Sequence, residues 1–129
     1  MTAPDIWGPT VWSLLHSLTF DFKGDHERFF NNLSDVLPCY KCSHNYYDHL
    51  KMLPVPKRKK DLPLWLIRIH NRVNIVTEKP VADEKKMLAF WKKESKNIRI
   101  YAEQVKPFIG YKHKAFWKTV EENLGHHTL

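Results

Sequence analysis

The chain has 129 residues, 43% hydrophobic and 27% charged, a composition that supports one domain with a buried core rather than a disordered tract. Its net charge of +7 is uneven: residues 1–50 carry three Lys/Arg against six Asp/Glu, and residues 51–129 carry eighteen against eight. Two cysteines in a single C-x-x-C exclude a secreted disulfide scaffold.

Met1-Thr2-Ala3-Pro4-Asp5 lacks the basic-then-apolar pattern of a secretory signal. No stretch of about 18 apolar residues is present, so no transmembrane helix is expected. These features lead to the expectation of a soluble, intracellular protein. The basic second half suits a phosphate-bearing ligand, an acidic partner or nucleic acid, or is a solvated lysine-rich surface. Aromatic residues make up 13%, with five tryptophans. Such a content serves dense packing or a flat ligand held between rings.

Helical spacing of Trp7, Val11, Leu14, Leu15, Leu18 and Phe22 predicts a helix over 6–22, with Gly8-Pro9 at its start. A second is predicted over 26–37, with Asp25 as N-cap and Phe29, Phe30, Leu33, Val36 and Leu37 inward. Pro38 ends it, and a third helix from Tyr40 to about Leu53 puts Tyr46, Leu50 and Leu53 on one stripe. Pro54-Val55-Pro56 and the basic run Lys57–Lys60 read as a loop, the charges ordinarily solvated. Leu62, Trp65, Leu66, Ile69, Val73 and Val76 mark the most apolar helix, over 62–77. Asp83 caps a segment with Met87, Leu88, Phe90 and Trp91, and more helix is expected over 94–106 and 113–124. The expected architecture is all-α: four core helices with a C-terminal helical extension.

Pro38-Cys39-Tyr40-Lys41-Cys42 holds both cysteines at a predicted helix N-terminus. Unpaired backbone N–H groups and the helix dipole stabilise a thiolate there, and thiolate is the attacking species in disulfide exchange. Cys39, Cys42, His44 and His49 also offer a C-x2-C-x-H-x4-H zinc pattern, but no element separates the two ligand pairs as in a zinc finger. A thioredoxin-type dithiol follows a strand, whereas this one follows a helical pattern. On the apolar fourth helix, His70 and Asn74 share one face, with Asn71 flanking it. Buried there, these groups must satisfy one another and nearby backbone, or line a pocket for a polar, ring-containing ligand. His16 beside Trp12 poses the same question on the first helix.

Together, Trp7-Gly8-Pro9-x-x-Trp12-x-x-Leu15-His16, Pro38-Cys39-x-x-Cys42 and Trp65-x4-His70-Asn71-x-Val73-Asn74-x4-Lys79-Pro80 resemble the Erv/ALR family of FAD-linked sulfhydryl oxidases. The match covers about residues 7–91, with the motifs in family order. The resemblance implies a four-helix bundle holding FAD, with the redox dithiol against the isoalloxazine. It makes residues 1–95 the FAD-binding part and 96–129 a C-terminal helical extension of the same domain. By it, Cys42 is the flavin-proximal, charge-transfer cysteine, and Cys39 the interchange cysteine that meets substrate. Gly8, Pro9, Thr10, Val11, Trp12, Ser13, Leu14, Leu15 and His16 form a first FAD-contacting segment, and His70, Asn71, Val73 and Asn74 a second. Lys79 approaches the cofactor's phosphates, and Trp91 stands where the family has an aromatic residue flanking the flavin.

The implied activity is oxidation of protein dithiols to disulfides, with electrons passing through FAD to O2 to give H2O2. A zinc-binding module and a non-catalytic flavin-binding protein are the alternatives. Cellular family members commonly carry a shuttle cysteine pair and a structural disulfide, and this chain has neither. Its partners are therefore expected to be protein dithiols that react directly or a small dithiol carrier, with neither nucleic acid nor a membrane span involved. Cysteine-poor single-domain versions resemble those of large cytoplasmic DNA viruses, which implies infected-cell cytoplasm and the virion. Packing of Phe90, Trp91, Ile98, Tyr101, Phe108, Phe116 and Trp117 is expected to hold the extension, which either covers the bundle or builds a homodimer interface.

Overall fold

The computed structural model describes residues 4–37 and 40–126. Among them the chain is helical throughout, with no strand: α1 (Pro4–Leu18), α2 (His26–Asn31), α3 (Tyr40–Met52), α4 (Leu62–Val76), α5 (Glu84–Glu94), α6 (Ile98–Val105) and α7 (Lys114–His126). Short 3₁₀ turns at 33–35, 59–61 and 95–97 join them.

In α1 the spacing that predicted a helix also defines what it buries: Trp7, Val11, Leu14, Leu15 and Leu18 are all in the core, and Phe22 re-enters it after the helix has ended. Pro4 takes the first-turn position, so Pro9 lies inside the helix rather than at its start. The Ser13 hydroxyl donates to the Pro9 carbonyl (2.8 Å) within that stretch. The helix stops at Leu18, earlier than its apolar pattern suggests. There the Thr19 hydroxyl donates to the His16 carbonyl, and Asp21 adopts a left-handed conformation (φ 56°).

Asp25 caps α2 by accepting from the Arg28 N–H at 3.1 Å, as its position before the apolar run predicts. That helix closes at Asn31, and the rest of the predicted span is a 3₁₀ turn followed by irregular chain. Phe29, Phe30 and Leu33 are buried, while Val36 and Leu37 are half-buried against them.

Two bonds fix α3 antiparallel to α4. The Trp65 indole N–H donates to the Leu53 carbonyl (2.9 Å), and the Arg72 Nε–H donates to His49 Nδ1 (3.3 Å). Moving back along α3 thus means moving forward along α4. Leu62, Trp65, Leu66 and Ile69 of α4 are buried as predicted. Val76 is not: it is 57% exposed, because the last turn of α4 turns Ile75 and Val76 outward.

Asp83 caps α5 by accepting from the Lys86 N–H (2.9 Å). Phe90 of α5 is 48% exposed and so holds little of the C-terminal segment, contrary to expectation. Helix α6 does that work by packing along α1, burying Ile98, Ala102 and Val105. Phe116, Trp117 and Val120 of α7 join the same hydrophobic cluster as α1 and α4. Asn123 closes the circuit by accepting from the Lys23 N–H (2.9 Å) and donating to the Lys23 carbonyl (3.2 Å). Each fully buried Leu or Ile contributes about 1.5–3 kcal/mol.

Candidate functional site

Four rings from three helices meet on the side of α1 that faces α4 and α5. The Trp12 indole lies flat on His70, with centroids 3.8 Å apart and planes 5° apart. The imidazole of His16 lies 4.7 Å from the Trp91 ring at 8°, again stacked. His16 Nε2 and His70 Nδ1 are 3.0 Å apart and share a hydrogen bond, so the two stacks form one unit. Sequence spacing placed Trp12 and His16 on one helix and His70 on another. The fold brings them together and adds Trp91.

Neither imidazole carries a charge near neutral pH. Burial, and then the neighbouring His70 ring, hold His16 well below the ordinary imidazole range. For His70, burial first and the Lys79 ammonium second lower the pKa to about 4. Lys79 is thus close enough to act on the rings, although its own side chain is exposed. Its backbone N–H donates to the Asn74 carbonyl at 2.7 Å, beside a left-handed Glu78 (φ 60°).

Asn71 answers the question its type raised. Its Nδ2–H donates to the Ala82 carbonyl (3.0 Å), and its Oδ1 accepts from the Ala82 N–H (2.9 Å). Asn74 Nδ2 also reaches Asn71 Oδ1, at 3.4 Å. Its amide therefore ties the 77–83 turn, and so the start of α5, to α4. Asn74 and Val73 are half-buried farther along the helix.

Within the 8–16 segment the residues divide. Val11, Leu14 and Leu15 are buried in the hydrophobic core, Pro9 is exposed, and Thr10 and Ser13 are half-buried. Gly8 is buried, yet a Cβ built there would meet nothing within 4 Å, so open space adjoins it.

Cys42 is the third residue of α3, half-buried against the core. Cys39 lies outside the described residues. Because α3 runs antiparallel to α4, its first turn lies toward the α4 end that carries Asn74. In α3, His44 sits 3.7 Å from Asp48 on the exposed surface, while His49 is buried with Nδ1 engaged by Arg72. At about 100° per residue these two imidazoles point about 140° apart, so α3 does not gather the ligand set a zinc site needs. Burial first, then Arg72, lower the His49 pKa, with Asp48 opposing. Sequence reasoning missed Arg72 as the α3–α4 tie. No local signal could reveal it, because its partner is 23 residues away.

Stacked neutral rings, a directional amide and a nearby ammonium suit a planar heteroaromatic group with an anionic appendage. A cysteine in a helix's first turn suits thiolate chemistry.

Comparison with known proteins agrees with this chemistry. Residues 9–95 match the model of the Erv1/Alr family. A probable FAD-linked sulfhydryl oxidase of Acanthamoeba polyphaga mimivirus is 36% identical over 89 residues, 60% of this chain and 62% of that protein. The mitochondrial FAD-linked sulfhydryl oxidase of Saccharomyces cerevisiae is 29% identical over 105 residues, 73% of this chain and 53% of that protein. An FAD-linked sulfhydryl oxidase of African swine fever virus is 29% identical over 77 residues, 53% of this chain and 65% of that protein. The matched part is thus between about half and two thirds of each relative's length. With two thirds of its length covered by the family model, the chain belongs to the Erv1/Alr family.

Proposed function

We propose that the chain is an FAD-linked sulfhydryl oxidase that forms disulfides in protein dithiols through Cys39 and Cys42. The observation that carries this reading is the Trp12–His70–His16–Trp91 ring unit, whose His70 sits on α4, the helix that runs antiparallel to the one bearing Cys42. The residues fit FAD. Flat indole and imidazole faces match a flat heterocycle, the open space beside Gly8 leaves room, and Lys79 brings a positive charge for a diphosphate. Trp12, His16, His70, Asn74, Lys79 and Trp91 would hold the cofactor, with Asn71 positioning the turn that carries Lys79. When bound, FAD supplies a two-electron acceptor that regenerates the Cys39–Cys42 disulfide and passes the electrons to O2, giving H2O2.

The chain's own residues carry the thiol chemistry. A substrate thiolate attacks Sγ of Cys39, the Cys39–Cys42 bond breaks, and Cys42 leaves as thiolate. The substrate's second thiolate then attacks its own sulfur in the mixed disulfide. The substrate disulfide forms and Cys39 leaves as thiolate. The first-turn position of Cys42 in α3 favours its anionic form, because the start of a helix stabilises a thiolate through its backbone N–H groups and dipole. In this reading the two cysteines are unequal, Cys39 meeting substrate and Cys42 lying toward the cofactor.

The viral relatives favour a viral protein acting in the infected-cell cytoplasm and in virions. The one cysteine pair in these 129 residues favours direct contact with substrate, or with a small dithiol carrier. A homodimer is part of this proposal, and sedimentation of the purified chain tests it. The oxidase itself is tested by a flavin absorbance band that stays with the protein and by dithiothreitol-dependent oxygen uptake. Colourless protein would end the reading. A yellow protein that consumes no oxygen would leave a flavin-binding module instead.

A further inference from the structure

A cleft of about 1060 Å³ opens at the other end of α4 from His70 and Asn74. None of the ring residues lines it. Its walls come from the 19–23 turn after α1, the 53–61 segment after α3, the first turns of α4, and Leu88 and Lys92 of α5. The basic run at 57–60, which the oxidase chemistry does not use, reaches it through Lys59 and Lys60.

Charge at the cleft is one-sided. Lys23, Lys59, Lys60, Arg68 and Lys92 line it, against the carboxylates of Asp21 and Asp61. Arg58 engages Asp61 at 3.1 Å, and Glu84 engages Arg68 at 2.9 and 3.3 Å. The four lysines make no ion pair among the described residues. The N-terminus of α4 adds to this field. Asp61 stands at its cap position without a side-chain capping bond, so the positive end of a 15-residue helix lacks a side-chain cap at the cleft.

Leu53, Pro54, Pro56, Leu64 and Leu88 add apolar lining to the same cleft. Its aromatic residues are poorly placed to stack on bases, because Phe22 and Trp65 are buried and Phe20 is half-buried. Single-stranded nucleic acid needs open ring faces beside its cationic track. Lysines and apolar residues lining one cleft instead complement a peptide that alternates acidic and apolar residues.

We propose that this cleft docks an acidic, extended segment of the protein whose thiols are oxidised. That role rests on the oxidase reading, whereas the binding itself does not. Leu53, just past the end of α3, is eleven steps along the chain from Cys42, a span of about 16 Å at 1.5 Å per step. An extended tether covers about 3.4 Å per residue, so the acidic segment must lie at least about five residues from the reacting cysteine.

The test uses the full chain and a fluorescein-labelled eight-residue peptide of Glu, Asp and Leu, read by fluorescence anisotropy. The expected result is binding that weakens with salt and falls at least about tenfold in Lys59→Glu/Lys60→Glu and in Lys23→Glu/Lys92→Glu. The same charge change elsewhere, Lys112→Glu/Lys114→Glu, is expected to retain the affinity. An equal loss in that control, no binding to the native chain, or tighter binding of an oligonucleotide of equal charge would overturn the proposal. A second arm compares dithiothreitol with a dithiol peptide that carries the acidic tract. Lys59→Glu/Lys60→Glu is expected to leave oxidation of the first unchanged and to lower kcat/KM for the second about tenfold. Equal rates on the tract-bearing peptide would remove the docking role. A native chain inert toward dithiothreitol would sink the oxidase reading while the anisotropy still decides the cleft.

Discussion

Helix α1 stands between two unlike neighbourhoods. Toward α6 and the body of the chain it buries Leu14, Leu15 and Leu18, in contacts that need only shape and volume. Toward α4 and α5 it presents Trp12 and His16, in contacts that need ring planes, one shared hydrogen and a particular partner. The first side contributes stability that many apolar sequences could supply. The second holds a buried and a half-buried imidazole, which lowers stability unless their ring nitrogens are paired, as they are with each other here.

This contrast breaks if perturbing one side acts like perturbing the other. The largest effect is expected from Cys42→Ser, which should abolish thiol-dependent oxygen uptake while leaving the melting temperature near that of the parent. A large fall in melting temperature would mean that the dithiol helix belongs to the packing side. Ile98→Ala, on α6, should do the reverse, costing about 2–5 kcal/mol in urea unfolding. Its turnover per folded, flavin-loaded molecule should not change.

Acid should separate the sides further. The His70 pKa of about 4 in the folded chain lies below its ordinary 6.5, so the unfolded chain takes up the proton first as pH falls. Stability should therefore decline from about pH 6.5 to about pH 4, by on the order of 3 kcal/mol, and level off below that as far as this group is concerned. His16, shifted the same way, adds to the decline. His70→Gln should flatten the pH–stability curve in that window, and an unaltered curve would place the acid sensitivity elsewhere. Asn71→Ala should cost about 1–3 kcal/mol by leaving both polar groups of Ala82 unpaired. It should also weaken flavin retention, because the turn before α5 loosens. Loss of stability with flavin retention unchanged would make Asn71 purely a packing residue.

Much of this arrangement is legible in the amino-acid sequence. Asp25 and Asp83 are recognisable caps because each is a short acceptor just before an apolar periodic run, and both accept the expected N–H. The polar face of α4 stands out because its residue types are costly on an apolar helix. What the pattern misreads are limits and partners. Pro9 resembles a helix start because proline suits a first turn, but Pro4 suits it equally and lies earlier. Val76 continues the α4 spacing after the packed stretch has ended, and periodicity does not report where packing stops. The cover of α1 by α6 and the grip of Asn123 on Lys23 join residues about 80 to 100 apart, and local pattern carries no trace of such pairings. Asn71 shows the same limit at closer range. Its type announces a buried amide, but not that Ala82 backbone would satisfy it.

The bond between His16 and His70 has one further consequence. Two neutral imidazoles joined Nε2 to Nδ1 hold two ring hydrogens between them, and only one of these lies in the bond. If His16 donates, the far nitrogen of His70 is a donor and that of His16 a bare acceptor. If His70 donates, both far ends invert. The pair therefore always offers one donor and one acceptor, and it can exchange them without gaining or losing charge.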